Sequence, residues 1–197
     1  MYSKKTSIVL GFHGCDISVR NAVVNGENLI PSCNSYDWLG HGIYFWESDP
    51  QRALEFAIES SKRKNSKIKT PAVLGAVLDL GRCLDLTNRN AIATVKSGYE
   101  WLKDRVDVMP INKNVGSDKD LLLRVLDCAV IQAVHAMCEL DEMTPYDSVR
   151  GMFTEGKEAY PGAGFMEETH TQICITNPNC IKGYFLPRQK DKNYPMP

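Results

Sequence analysis

The segment DWLGHGIYFWESDP, from Asp37 to Pro50, places large aromatic rings directly after two glycines. Gly40 and Gly42 precede Tyr44, and Phe45 follows it. Aromatic rings usually pack in a core because they bury much surface. Glycines, however, let a backbone approach a ligand closely. Tyr44 is therefore either a core residue or a ring that stacks on a planar heteroaromatic ligand, and alternation puts Phe45 on the opposite side, in the core.

Two further segments carry polar groups at strand positions. Phe12-His13-Gly14 ends an early apolar strand, where a ring nitrogen of His13 and the bare backbone of Gly14 can face a ligand together. A lone histidine more often makes an ordinary hydrogen bond. Late in the chain, THTQICIT alternates so that Gln172 points away from the apolar side chains. Taken alone, Gln172 is a solvated polar residue at a strand edge.

Hydrophobic periodicity indicates the elements that position these residues. Predicted strands cover 7–13, 42–46, 71–86 with a break at Gly81, 169–176 and 180–186; predicted helices cover 17–25, 50–64, 88–106 and 117–140. Asp16 or Ser18 and Ser48 or Asp49 are the expected N-caps of the first two helices. The segment 144–168 has little pattern and predicts a long functional or mobile loop. The two last strands are expected to pair, and the class is α+β in a single domain, 1–197.

The overall composition excludes several classes of protein. The formal net charge is −1, so no global field attracts nucleic acid or an anionic membrane. Apolar runs are far shorter than the roughly 20 residues of a spanning helix. Seven cysteines without C-x-x-C spacing favour a reduced, cytoplasmic compartment and no metal site. The basic run from Lys62 to Lys69 is either a solvated helix end, which is the commoner case, or a polyanion contact.

Taken in order, these segments resemble the ADP-ribosyltransferases of the diphtheria-toxin and poly(ADP-ribose) polymerase type. Phe12-His13-Gly14 looks like the first motif of that family, and GHGIYF, residues 40–45, looks like the second. TQICI, residues 171–175, looks like the third, with Gln172 where the family usually has glutamate. The resemblance covers residues 8–57, 73–86 and 165–186, and it implies a split antiparallel sheet that binds NAD+, with a helical insertion at about 88–141.

The resemblance also implies roles for individual residues. His13 would bind the ribose, Gly14 the carboxamide, Tyr44 and Phe56 the two faces of nicotinamide, and Gly42 would allow close approach. From its chemistry alone, Arg150 is a candidate for the pyrophosphate, since a guanidinium forks onto phosphate oxygens. Gln172 can hydrogen-bond the ribose but cannot stabilise an oxocarbenium ion as a carboxylate does. Two alternatives follow: either Gln172 fills the catalytic role and the reaction needs less help, or Glu168 or Glu167 supplies the charge.

The expected function is NAD-dependent transfer of a single ADP-ribose to a protein, RNA or DNA, because chain elongation goes with glutamate in this family. The protein would then be a toxin or effector of bacterial or phage type, with an antitoxin or inhibitor protein as a possible partner. Two alternatives stay open. One is an NAD glycohydrolase, and the other is an NAD- or ADP-ribose-binding module without catalysis.

Overall fold

The computed structural model describes residues 8–114 and 123–194, which form one mixed sheet with helices on both faces. Within these residues the sheet has seven strands, in the order β4-β5-β6-β2-β1-β3-β7. The strands are β1 Ile8–Asp16, β2 Ile43–Glu47, β3 Pro71–Asp79, β4 Cys83–Asp85, β5 Ser148–Phe153, β6 His170–Ile175 and β7 Ile181–Phe185. The helices are α1 Ile17–Val24, α2 Pro50–Ser61, α3 Arg89–Lys103 and α4 Val125–Leu140. The predicted α+β class is confirmed.

Side-chain caps fix the start of three helices, because each cap satisfies an N–H that has no partner inside the helix. Asp16 caps α1 by accepting from Ser18 N, and Asp49 caps α2, which begins at Pro50. Asn88 caps α3 in the same way. These starts confirm the sequence predictions. The predicted start of α4 at Ser117 lies outside the described residues. No helix in the described parts of the chain is long and apolar enough to cross a membrane.

The break at Gly81 separates β3 from β4, as predicted. Gly81 has φ +55°, and a Cβ there would lie 2.5 Å from Oδ2 of Asp147. The chain then turns away, so β4 pairs with β5 in parallel. A parallel neighbour needs a long crossover connection. The segment predicted as a helical insertion supplies it, since α3 and α4 join β4 to β5. The prediction of a split antiparallel sheet is therefore wrong at this edge, where β4 and β5 are parallel.

Two expectations near the end of the chain are also wrong. Segment 144–168 contains β5, whose Arg150 and Gly151 hide the alternation of a strand. Strands β6 and β7 are not neighbours, because β2, β1 and β3 lie between them. Strand β7 forms the edge next to β3 instead.

Both faces of the sheet are buried. One face carries Tyr44 and Cys174 and packs against Ile131 of α4, while its other half packs Trp46 against Ala53 of α2. We call it the α2–α4 face. The opposite face is called the α1 face. It carries the side chains that alternate with these along each strand, and it packs against α1 and the segment that follows α1. Its buried apolar residues include Phe45, Leu74, Ile173 and Val23. Phe45 is completely buried, as predicted.

The two central strands separate part-way along their length. β1 and β2 pair at Gly11–Glu47 and Phe12–Trp46, and Ser48 N donates to Leu10 O at 2.9 Å. β1 pairs with β3 over its full length, from Ile8–Asp79 to Asp16–Pro71. The β1–β2 pairing therefore ends just before His13. We call the opening beyond Phe12 the β1–β2 gap.

Candidate functional site

His13 lies at the β1–β2 gap and points to the α1 face. Its Nδ1 is 2.8 Å from the carbonyl oxygen of Tyr44, and its ring centroid is 5.9 Å from that of Phe45. A carbonyl only accepts hydrogen bonds, so Nδ1 carries the proton and Nε2 is left as an acceptor. Burial lowers the pKa of His13, and the bond to Tyr44 raises it by less. The imidazole is therefore neutral at pH 7, with an acceptor nitrogen for a hydroxyl group.

Gly14 directs its backbone groups into the same gap. Ile17 N donates to Thr70 O beside β3, whereas Leu10 O accepts from Ser48 N on the β2 side. Backbone direction alternates along an antiparallel strand, so even-numbered residues of β1 face β2. The N–H and C=O of Gly14 thus point toward β2 where the β1–β2 pairing has ended. This backbone can bind an amide.

Helix α2 closes the other side of Gly14. A Cβ on Gly14 would lie 2.1 Å from the carbonyl oxygen of Ala53 and 3.4 Å from Cβ of Ala57. Both alanines are completely buried. Only glycine at position 14 and small residues on α2 allow this close approach.

Tyr44 lies on the opposite face from His13, and its ring packs into the cluster beneath α4. Its hydroxyl donates to Gly40 O at 2.7 Å and accepts from Leu39 N at 2.8 Å. Burial raises its pKa. The predicted stacking on nicotinamide is therefore not what the structure assigns to this ring. Tyr44 contributes to the gap through its carbonyl oxygen, which orients His13.

The glycines before Tyr44 allow close packing within the protein. A Cβ on Gly42 would lie 2.5 Å from Ile175 O and 2.6 Å from Sγ of Cys174. Gly40 has φ +82°, and its Cβ would lie 2.7 Å from Ile131. Protein atoms occupy the space that we predicted for a ligand at Gly42. The correction follows from β6 and α4, whose contacts with this segment the sequence pattern does not show.

Gln172 is separated from His13 by strand β2 and lies on the other face. It pairs with Trp46, which places it on the α2–α4 face. Its Nε2 is 2.9 Å from Nε2 of His170, whose Nδ1 is 2.7 Å from the carbonyl oxygen of Glu168. The side chains of Gln172 and His13 therefore lie on opposite faces of the sheet. Of the third motif, Thr171 is the polar residue that shares the face of His13, together with the apolar Ile173 and Ile175.

Two further residues predicted for the site, Phe56 and Glu168, lie on α2 or beside it. The rings of Phe56 and Trp46 are 4.9 Å apart, and Glu168 lies 3.8 Å from Nη2 of Arg52. A cavity of about 200 Å³, called the α2 pocket, opens here; its lining residues include Arg52, Glu55, Glu167 and Glu168. Mostly acidic groups surround Arg52, so the pocket does not suit a pyrophosphate.

Arg150 is held in an ion-pair network on the α1 face. Its Nε donates to Oε2 of Glu47 at 2.6 Å, and its Nη1 lies 3.2 Å from Oδ1 of Asp85. Burial alone would lower the pKa of Arg150, but the bond to Glu47 and the charges of both carboxylates outweigh it. The guanidinium predicted for the pyrophosphate is therefore engaged with two carboxylates.

Glu47 is the functional candidate that the sequence reasoning missed. It pairs with Gly11, so it shares the face of His13 and is its diagonal neighbour across the β1–β2 seam. Such neighbours lie roughly 7–8 Å apart, within reach of long side chains. Alternation from Phe45 already places Glu47 on this face. The sequence pattern does not single out Glu47, because the ring of Tyr44 directs the ligand prediction to the opposite face of the strand.

No group of three or more His, Cys, Asp or Glu residues within 8–114 and 123–194 is arranged to hold a metal ion. The seven cysteines all lie in these ranges and are free thiols.

Comparison with known proteins gives one distant relative and no family assignment. The chain is 26% identical over 190 residues to uncharacterized protein MJ0359 of Methanocaldococcus jannaschii. The match covers 87% of this chain and 83% of the archaeal protein. No family model matches the chain.

Proposed function

We propose that the protein cleaves NAD+ in the β1–β2 gap and transfers ADP-ribose to a macromolecule. The observation that carries the proposal is the bond between Nδ1 of His13 and the carbonyl of Tyr44, at 2.8 Å. It fixes Nε2 as an acceptor for a ribose hydroxyl. The three strands that carry the family-like motifs are also neighbours, in the order β6-β2-β1. This adjacency supports the ADP-ribosyltransferase core implied by the resemblance.

Gly14 is assigned to the nicotinamide carboxamide. Its N–H and C=O point into the gap, and a primary amide offers the complementary acceptor and donor. A backbone amide pair of this kind holds the ring in one orientation without a charged side chain. His13 on the adjacent position then meets the ribose attached to that ring.

Glu47 is assigned to the charge that develops during the reaction. The bond between C1′ of the ribose and the nicotinamide nitrogen breaks, and nicotinamide leaves with the electron pair. The ribose becomes oxocarbenium-like, and a nearby carboxylate stabilises it. Arg150 holds Oε2 of Glu47 at 2.6 Å, which leaves Oε1 for the ribose. The acceptor then bonds to C1′ and loses its proton.

Transfer stops at one ADP-ribose in this proposal. Thr171 and Gln172 of the third motif are both neutral, and the resemblance associates chain elongation with glutamate in this motif.

The test compares two carboxylates on opposite faces of the sheet. Purified wild type, Glu47→Gln and Glu168→Gln are incubated with NAD+ labelled in the adenine moiety, together with a cell lysate as the source of acceptors. We expect label on a macromolecule and release of nicotinamide by the wild type. The Glu47→Gln variant should be roughly 10²–10³-fold slower, the usual effect of removing one such electrostatic group. The Glu168→Gln variant should stay within a few-fold of the wild type.

The other outcomes each reject part of the proposal. Loss of activity only in Glu168→Gln would move the reaction to the α2 pocket. Free ADP-ribose as the sole product would identify a glycohydrolase. Binding of NAD+ without nicotinamide release would identify a binding module, and absence of binding would reject the proposal entirely.

A further inference from the structure

Five cations lie together at the end of α2 and in the segment that leads to β3. We call this surface the basic corner; it consists of Lys62, Arg63, Lys64, Lys67 and Lys69. All five residues are exposed, and none forms an ion pair with a described residue. The formal net charge of the chain is −1, so the basic corner is a local concentration of positive charge on a protein whose total charge is close to zero.

The backbone of the basic corner is held in place. Asp16 accepts from Lys69 N at 2.7 Å and from Thr70 N at 2.8 Å. Ser66 bonds to Arg63 O and accepts from Ile68 N at 3.0 Å. The hydrogen bonds from Thr70 N, Ser18 and Lys69 N lower the pKa of Asp16, so its carboxylate is ionised and engaged inside the corner. The backbone that carries the cations is therefore fixed.

Both ends of the basic corner approach Gly14. Lys69 binds Asp16, which is two residues from Gly14 along β1, or roughly 7 Å at the rise of a strand. Ala57 packs on Gly14. Lys62 lies five residues after Ala57, which is roughly 8 Å along the helix axis. The positive surface thus borders the β1–β2 gap.

We propose that the basic corner docks the phosphate backbone of a single-stranded nucleic acid, which is the acceptor of ADP-ribose. The acceptor role rests on the proposed function, whereas the docking role does not. Lys and Arg side chains neutralise successive phosphates without reading sequence. A base paired within a duplex cannot enter a recessed site, which favours a single strand. A membrane is disfavoured because Ile68, the one apolar side chain within residues 62–69, is half-buried, so the corner itself exposes no apolar side chain.

The salt dependence of binding tests the docking surface. Fluorescence anisotropy measures the affinity for labelled single-stranded RNA and DNA of the same mixed sequence, without NAD+. Five phosphate contacts predict a slope of about −3.5 for log K against log salt, or about a hundredfold loss from 50 to 200 mM. Replacing Lys62, Lys64 and Lys67 by Gln should reduce the slope by about 2. The control replaces Arg89, Lys96 and Lys103 on α3 by Gln, which changes the net charge equally, and should not alter the slope.

Three results separate the possible failures. Equal binding by the Lys62, Lys64 and Lys67 variant and the wild type would overturn the docking surface. Equally tight binding of polyglutamate or anionic vesicles at the same salt would overturn the assignment to nucleic acid. Salt-dependent binding without transfer of label from NAD+ to the oligonucleotide would overturn the acceptor role and leave the docking surface standing.

Discussion

Removing the hydroxyl of Tyr44 tests whether this side chain stabilises the fold or binds a ligand. In Tyr44→Phe, Leu39 N loses its acceptor, and Gly40 O keeps only the weak donor Sγ of Cys174, at 3.6 Å; both residues are buried. A buried polar group left unpaired costs about 1–3 kcal/mol. Because the two groups are neighbours and can relax together, we expect a loss of about 2–3 kcal/mol in the free energy of unfolding. For a domain of this size that lowers Tm by roughly 4–12 °C.

Differential scanning calorimetry measures this change, with Tyr36→Phe as the control because Tyr36 is 43% exposed. The same two variants are titrated with NAD+. The structure predicts an unchanged Kd for Tyr44→Phe beside its lowered Tm. The reasoning is refuted if Tm of Tyr44→Phe stays within 1 °C of the wild type while its affinity for NAD+ falls tenfold or more.

Three further predictions follow from the packing and charge of the site. Gly14→Ala should cost about 3 kcal/mol or more in chemical denaturation, because its Cβ would lie 2.1 Å from Ala53 O; Gly183→Ala, whose Cβ meets nothing within 4 Å, should be nearly neutral. Arg150→Met should cost about 2–3 kcal/mol, since Glu47 and Asp85 lose their shared cation, and Lys103→Met, on an exposed pair, should cost little. Burial lowers the pKa of His13, His135 and His170, so the unfolded chain binds more protons below about pH 6.5. Stability should therefore fall between pH 7.5 and 5.5, by up to about 1.4 kcal/mol per pH unit for each histidine; a flat profile would contradict this.

Elements that depend on local signals were predicted from the sequence, and elements that depend on distant contacts were not. Caps such as Asp16 and Asp49 are local signals, so the helix starts were predicted well. The sequence pattern placed His13 and Tyr44 on strands, and only the structure shows that these two strands are neighbours. Strand β5 was missed because Arg150 and Gly151 interrupt its pattern, and the position of β7 depends on contacts distant in sequence.

The face of each site residue was the hardest feature to predict. Alternation around Gln172 assumed one buried and one solvated face, whereas Ile173 and Cys174 are both completely buried. The same rule, applied from Phe45, places Glu47 on the face of Phe45, which the structure shows to be the face of His13. A sheet that is covered on both sides leaves no polarity signal to choose between Thr171 and Gln172. Only the register of β6 on β2 decides it.

Nitrogen NMR of the His13 side chain tests the central claim most directly. The signal is assigned by its loss in His13→Gln, and spectra are recorded at pH 7 with and without NAD+. The account predicts a neutral ring protonated at Nδ1, because Tyr44 O accepts from it, and a shift of the Nε2 resonance when NAD+ binds. A ring protonated at Nε2, or an Nε2 resonance unchanged at saturating NAD+, would contradict the account.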